Sequence, residues 1–160
     1  MRRAMRLWIE TTHHAAFRYG GWAYAREADG AVTGMAGGER NITAERLDLA
    51  GLVAAFNGLP MGAPVTVRSS SPSLLAALRL ALGPPAAGSP DAPSENLDLW
   101  AQLMTAAKGR AVTVQAAPRA AQTPAAFLAA WAEVGQDKAK SAGRFAAAIP
   151  KSNLAKLALG

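Results

Sequence analysis

The stretch LWIETTHHAAFRYGGWAYAR, residues 7–26, decides how the chain begins. Residues 6–11, RLWIET, form a short run of apolar and β-branched residues and read as a strand. That strand ends in one acid, Glu10, with His13 and His14 close behind. GGWAYARE at 20–27 alternates large and small side chains and reads as a second strand. Asp29-Gly30 is a hairpin signal, which makes AVTGMAGG at 31–38 the third strand. The chain opens as an antiparallel meander. The lone carboxylate at its first strand end reads either as a solvated charge or as part of a metal site, to which His13 and His14 would add imidazoles suited to Zn²⁺ or Mn²⁺.

After the meander the hydrophobic period changes. In NITAERLDLAGLVAAFNGLP, residues 41–60, Leu49, Leu52, Val53 and Phe56 recur at helical spacing, with Thr43 as the N-cap and Gly58 and Pro60 closing the segment. PVTVRSS at 64–70 is a β-branched strand, and SPSLLAALRLAL at 71–82 is a helix capped by Ser71 with Pro72 at its first position. GPPAAGSPDAPSE at 83–95 is a loop without an aliphatic side chain larger than alanine. A helix follows at 96–109, with Leu97, Trp100 and Met104 on one side. A strand follows at 111–116, then a helix at 123–140 capped by Thr123. The tail from 141 has an ambiguous pattern that leaves room for a short helix. Trp8, Trp22, Trp100 and Trp131 all fall at positions that read as packing rather than base stacking. The order predicts an α/β fold, a five-stranded mixed sheet with helices on both faces.

A chain of 160 residues suits one domain, with a core at about 6–140 and a basic tail at 141–160. No apolar run reaches the roughly 20 residues that span a bilayer. The absence of cysteine excludes disulfide and thiolate chemistry and fits a reducing, cytoplasmic setting. Seventeen Lys and Arg stand against 11 Asp and Glu, a net charge of +6 that favours a polyanionic partner. The cations gather at the two ends: Arg2, Arg3 and Arg6, then Lys138, Lys140, Arg144, Lys151 and Lys156. No G-x-S-x-G, H-E-x-x-H or phosphate-binding G-x-x-x-x-G-K-[ST] occurs.

With the elements placed, the ordered set resembles type 1 ribonuclease H. The acid Glu10 ends the first strand, and Gly20-Gly21-Trp22 opens the second at the family's usual distance. TAERLDL at 43–49 resembles the family's T-x-x-R-x-E-L helix opening, with Asp48 as its acid. VTVRSSSPSLLAAL resembles the strand-to-helix unit that carries a Thr-Asp-Ser turn, and NLDLW at 96–100 resembles an N-x-D-L-W helix start. The resemblance covers residues 6–140. It implies a ribonuclease H-like fold and a site where four carboxylates hold two Mg²⁺ ions that cut the RNA strand of an RNA–DNA hybrid. Two cations some 3.5–4 Å apart need that many anionic oxygens.

Carried over by position, the first Asp becomes Glu10, the Glu becomes Asp48, the second Asp becomes Ser70, and the fourth falls at Ala130. The loop histidine has no counterpart in APRAAQTP, and the hybrid-contacting Asn pair becomes Ala44-Glu45. The 83–95 loop stands where the family has a basic protrusion. The resemblance thus implies a nuclease-degenerate domain that binds nucleic acid (RNA or RNA–DNA hybrid) or a protein partner, with Glu10 and Asp48 left to hold one Mg²⁺ or Mn²⁺, or none. One alternative is a weak nuclease that completes its site with Asp137 or Glu133. Another is a structural subunit of an assembly.

Overall fold

The computed structural model describes residues 3–157, so Arg2 lies outside the described residues. The meander consists of β1 (Met5–His14), β2 (Tyr19–Ala28) and β3 (Ala31–Arg40). Asp29 and Gly30 both take positive φ, 53° and 80°, as a two-residue turn between paired Ala28 and Ala31 requires. Next come α1 (Ala44–Phe56), β4 (Val65–Ser69), α2 (Pro72–Leu82), α3 (Leu97–Ala107), β5 (Val112–Ala116) and α4 (Pro124–Ala142). The expected caps form: Thr43, Ser71 and Thr123 accept from the N–H of Arg46, Leu74 and Ala126. The sheet order is β5-β4-β1-β2-β3-β6, with β4 parallel to both β1 and β5 and the remaining pairs antiparallel.

The sixth strand, β6 (Phe145–Ala148), lies antiparallel to β3, and the short α5 (Lys151–Leu154) follows it. Sequence reading stops at five strands because FAAA carries no alternation of large and small residues. The packed interior also extends past residue 140. Ile149, Leu154 and Leu157 are buried with Trp8, Ala23, Ala25, Leu128 and Ala132.

Alternation along β1 divides the core. Leu7 and Ile9 point to a cluster with Leu49, Leu52 and Phe56 of α1, Leu74 and Leu78 of α2, and Leu103 of α3. Trp8 points to the α4 side. Period-2 geometry thus places helices on both faces, as expected. Leu97 is the exception to the expected helix face: it is 58% exposed, and α3 buries Leu103 and Ala107 instead.

Helix α4 lies unusually close to the sheet. A Cβ on Gly21 would collide with the Ala132 carbonyl, and one on Gly135 with the Gly37 carbonyl. Glycine on both sides lets backbone meet backbone, which sets α4 across β1, β2 and β3. That placement brings the loop before α4 to the end of β1.

Candidate active site

Glu10 is the last residue of β1 before the strand leaves the core, and its side chain is 1% exposed. A buried carboxylate needs donors, and the end of β4 and the turn that follows it supply three of them. The Ser70 backbone N–H donates to Oε2 at 2.8 Å, Ser69 Oγ donates to Oε2 at 3.3 Å, and Ser70 Oγ donates to Oε1. Arg119 supplies the fourth, its Nε donating to Oε1 at 2.8 Å. The same Nε lies 2.9 Å from Ser70 Oγ, and Nη2 donates to the Thr11 carbonyl at 2.9 Å.

The position of Arg119 is built locally. The Ala117 N–H donates to the Ser69 carbonyl, continuing the β4–β5 edge. Thr123, the α4 cap, also donates from Oγ1 to the Ala120 carbonyl at 2.6 Å. These contacts fold the loop back over the end of β1.

Asp48 is 6% exposed on the inner face of α1. Thr11 Oγ1 donates to Oδ1 at 2.9 Å and Ser73 Oγ donates to Oδ2 at 2.8 Å. Burial pushes its carboxyl above the ordinary range, against the pull of the Ser73 and Thr11 hydroxyls and of His13. Asp48 also forms the floor of a cavity of about 280 Å³, walled by Leu49, Ala77, Leu80 and Trp100 and rimmed by Glu45, Pro93 and Glu95. The proline-rich loop thus closes over the Asp48 side.

The two acids therefore belong to one hydrogen-bonded network, joined through Thr11 and the first turn of α2. Ser70 is inside it as a donor, where a carboxylate would be an acceptor. Ala130 is exposed on α4 and contributes no ligand. Asp137 and Glu133 are exposed on the same helix. Among the described residues, no group of three or more His, Asp or Glu side chains could hold a metal ion. The histidines are engaged elsewhere: His13 Nε2 lies 2.7 Å from the Ile42 carbonyl, and His14 stacks on Phe17 and Tyr19.

This donor set does not fit a pair of divalent cations. Every carboxylate oxygen of Glu10 and Asp48 already accepts from a protein donor, and the cation at Glu10 is a guanidinium. A single ion would have to displace Arg119 from Glu10. Sequence reading missed Arg119, Ser69, Thr11 and Ser73. For Arg119 a signal existed: a lone arginine in an otherwise uncharged loop, APRAAQTP, placed just before the last long helix.

The basic residues divide. Arg6 forms a two-pronged pair with Glu27 at 2.8 and 2.9 Å and lies over the Trp8 ring, so it is held by the fold. Arg3, Lys138 and Lys151 are exposed. Lys140 Nζ lies 6.0 Å from the Tyr19 ring, and Arg144 is 86% exposed with Glu39 at 3.9 Å. The family-like pieces TAER and NLDLW meet each other: Arg46 grips Asp98 at 2.8 and 3.0 Å, which lowers the Asp98 carboxyl to about 2 and ties α1 to α3.

No protein-family model matches the chain, and no curated protein matches it. Solved structures do. The N-terminal RNase H domain of a Mycobacterium tuberculosis protein superposes with a TM-score of 0.62 at 18% identity, over 86% of this chain and 96% of that one. LC11-RNase H1, isolated from compost by a metagenomic approach, gives 0.63 at 16% identity, over 86% and 98%. RNase H1 of the halophilic archaeon Halobacterium salinarum gives 0.53 at 14% identity, over 86% and 98%. The chain has a type 1 ribonuclease H-like fold.

Proposed function

We propose that this chain is a nuclease-degenerate ribonuclease H-like domain that binds nucleic acid, RNA or RNA–DNA hybrid, without cutting it. The observation that carries this reading is Arg119 on Glu10. A site that positions two metal ions needs excess negative charge. Here one acid is neutralised by an arginine, a second is buried under hydroxyl donors, and serine and alanine stand at the other two positions. A serine hydroxyl adds a donor without adding charge, so it stabilises Glu10 while removing a cation ligand.

The net charge of +6 supports the binding half of the proposal. Exposed cations available to phosphate include Arg3, Lys138, Lys140, Arg144 and Lys151. Two titrations test it, one of RNA–DNA hybrid and one of single-stranded RNA, each at two salt concentrations in EDTA and in Mg²⁺. The expected result is binding that weakens steeply with salt and is unchanged by the metal. Hybrid incubated with Mg²⁺ or Mn²⁺ should remain uncut. Cleavage that Asp48→Asn abolishes would overturn the degenerate reading. No affinity for any nucleic acid at low salt would leave a protein partner as the role of the fold.

A further inference from the structure

The tip of the β1–β2 hairpin is chemically out of place. Residues 15–18 are Ala-Ala-Phe-Arg, where a hairpin end ordinarily carries glycine, asparagine or aspartate. Phe17 at that tip is 71% exposed, the most exposed large hydrophobic side chain among the described residues. Left open to water, Phe17 forgoes most of the stabilisation that burial would give its ring.

The ring is nonetheless held in place. His14 and Tyr19 are cross-strand partners at the hairpin's end. The His14 ring lies 5.1 Å from Phe17 and 4.9 Å from Tyr19, and Phe17 lies 6.4 Å from Tyr19. The three planes are near-parallel, at 28°, 19° and 9° to one another. They form a triangle of tiled rings with Tyr19 buried at the base and Phe17 open to solvent. His14 Nδ1 is buried without a hydrogen-bond partner, so ring contacts and the hairpin backbone alone orient it. An exposed, pre-oriented aromatic face binds a flat π-system with little ordering cost.

Cations surround this tip. Arg18 is the next residue and holds a left-handed conformation, φ 54°, fixed by its N–H to the His14 carbonyl and its carbonyl to the Ile42 N–H. Arg40 pairs with Tyr19 across β2 and β3 and is exposed. Lys140 lies over the Tyr19 ring. The nearby acid on β3, Glu39, faces Arg144, and Asp137 lies one turn before Lys140 on α4. The balance at the rim is positive.

We infer that the Phe17–His14–Tyr19 platform, rimmed by Arg18, Arg40 and Lys140, is a stacking site for unpaired nucleobases, so the chain takes single-stranded nucleic acid or a single-stranded extension of a hybrid. This rests on the nucleic-acid reading above and names the form of strand that it takes. Aromatic faces stack any base, while the cations hold the phosphates between bases. The platform lies four residues beyond Glu10 along β1, about 13 Å at the strand rise.

The test uses the full chain and a short single-stranded oligonucleotide carrying 2-aminopurine, compared with a blunt hybrid. The expected result is quenching of the 2-aminopurine on binding. Phe17→Ala should weaken single-strand affinity by roughly 5- to 150-fold. Phe17→Trp should keep it, and Phe17→Leu, which retains apolar area without a π-face, should behave like Phe17→Ala. Blunt-hybrid affinity should change less than twofold in all three variants. Single-strand binding by the wild type that Phe17→Ala and Phe17→Leu leave intact would overturn the platform and keep the nucleic-acid reading. Full single-strand affinity of Phe17→Leu alone would assign the tip to general apolar docking and overturn it as well. If the wild type binds no nucleic acid, both readings fall together.

Discussion

Separating Glu10 from Arg119 is the perturbation on which the site's interpretation depends. The Glu10 side chain is 1% exposed, the Arg119 side chain 42%, and the Nε–Oε1 distance is 2.8 Å. A hydrogen bond to a charged group contributes about 1.5–3 kcal/mol. In Arg119→Ala, water reaches the vacated side and three protein donors remain on Glu10. The expected loss is therefore about 1–2 kcal/mol, below the 3–5 kcal/mol of a fully enclosed pair. Glu10→Ala leaves the Ser70 N–H and two serine hydroxyls facing an uncompensated space, and about 2–3 kcal/mol should be lost. The double variant should then recover about 1–2 kcal/mol relative to the sum, because neither half of the pair is left to be unsatisfied. Urea unfolding of the four proteins measures this cycle, provided the denaturant slope is the same in each. A coupling below about 0.5 kcal/mol, the additivity expected of independent sites, would show that Arg119 is a surface cation resting near Glu10 and not the group that stands for a metal there.

Three further outcomes follow from the same geometry. In Arg119→Ala the two acids lose their resident cation, so Mn²⁺ followed by electron paramagnetic resonance should bind this variant more tightly than the wild type; equal binding would refute the substitution of arginine for metal. Burial raises the Asp48 carboxyl, so the native state keeps its proton to higher pH than the unfolded chain. Stability attributable to Asp48 is therefore greatest at low pH, falls as pH rises from the ordinary value of 3.8 through the raised native one, and is flat above it. The difference in urea midpoint between wild type and Asp48→Asn across pH 3–7 should display that slope, and a difference of opposite sign would be inconsistent with burial as the dominant cause. Gly135→Ala drives a methyl into the Gly37 carbonyl, which cannot move without shifting β3, and thermal unfolding should register a loss of about 1–3 kcal/mol or more.

Local signals were legible wherever the physics is local. Thr43, Ser71 and Thr123 cap helices because a hydroxyl reaches an N–H three residues on, and Asp29-Gly30 turns because both tolerate positive φ. The order of elements, and with it a mixed α/β sheet, follows from the change of hydrophobic period; the ribonuclease H-like fold was implied by the resemblance of TAERLDL, NLDLW and their neighbours, and the solved structures show it. The sequence pattern ends α4 at 140, two residues early, and gives no sign of β6, because an alanine run carries no face. Leu97 reads as part of an apolar stripe but lies at the exposed start of α3, where Leu103 and Ala107 take the buried face.

The sequence by itself determined which residues stand at the positions that the ribonuclease H resemblance singles out: Glu10, Asp48, Ser70 and Ala130. Those are facts about single positions. What occupies the charge left at Glu10 is decided by the tertiary structure, because Arg119 is 109 residues away and arrives only when Gly21, Gly37 and Gly135 let α4 lie close on the sheet. The same holds for Phe17. As a residue it is one hydrophobic side chain in a hairpin; only strand pairing at the β1–β2 end aligns His14 and Tyr19 beneath it and brings Lys140 from α4 to the rim. Chemical inventory is a property of the chain, whereas charge compensation and stacking depend on distances that the chain acquires by folding.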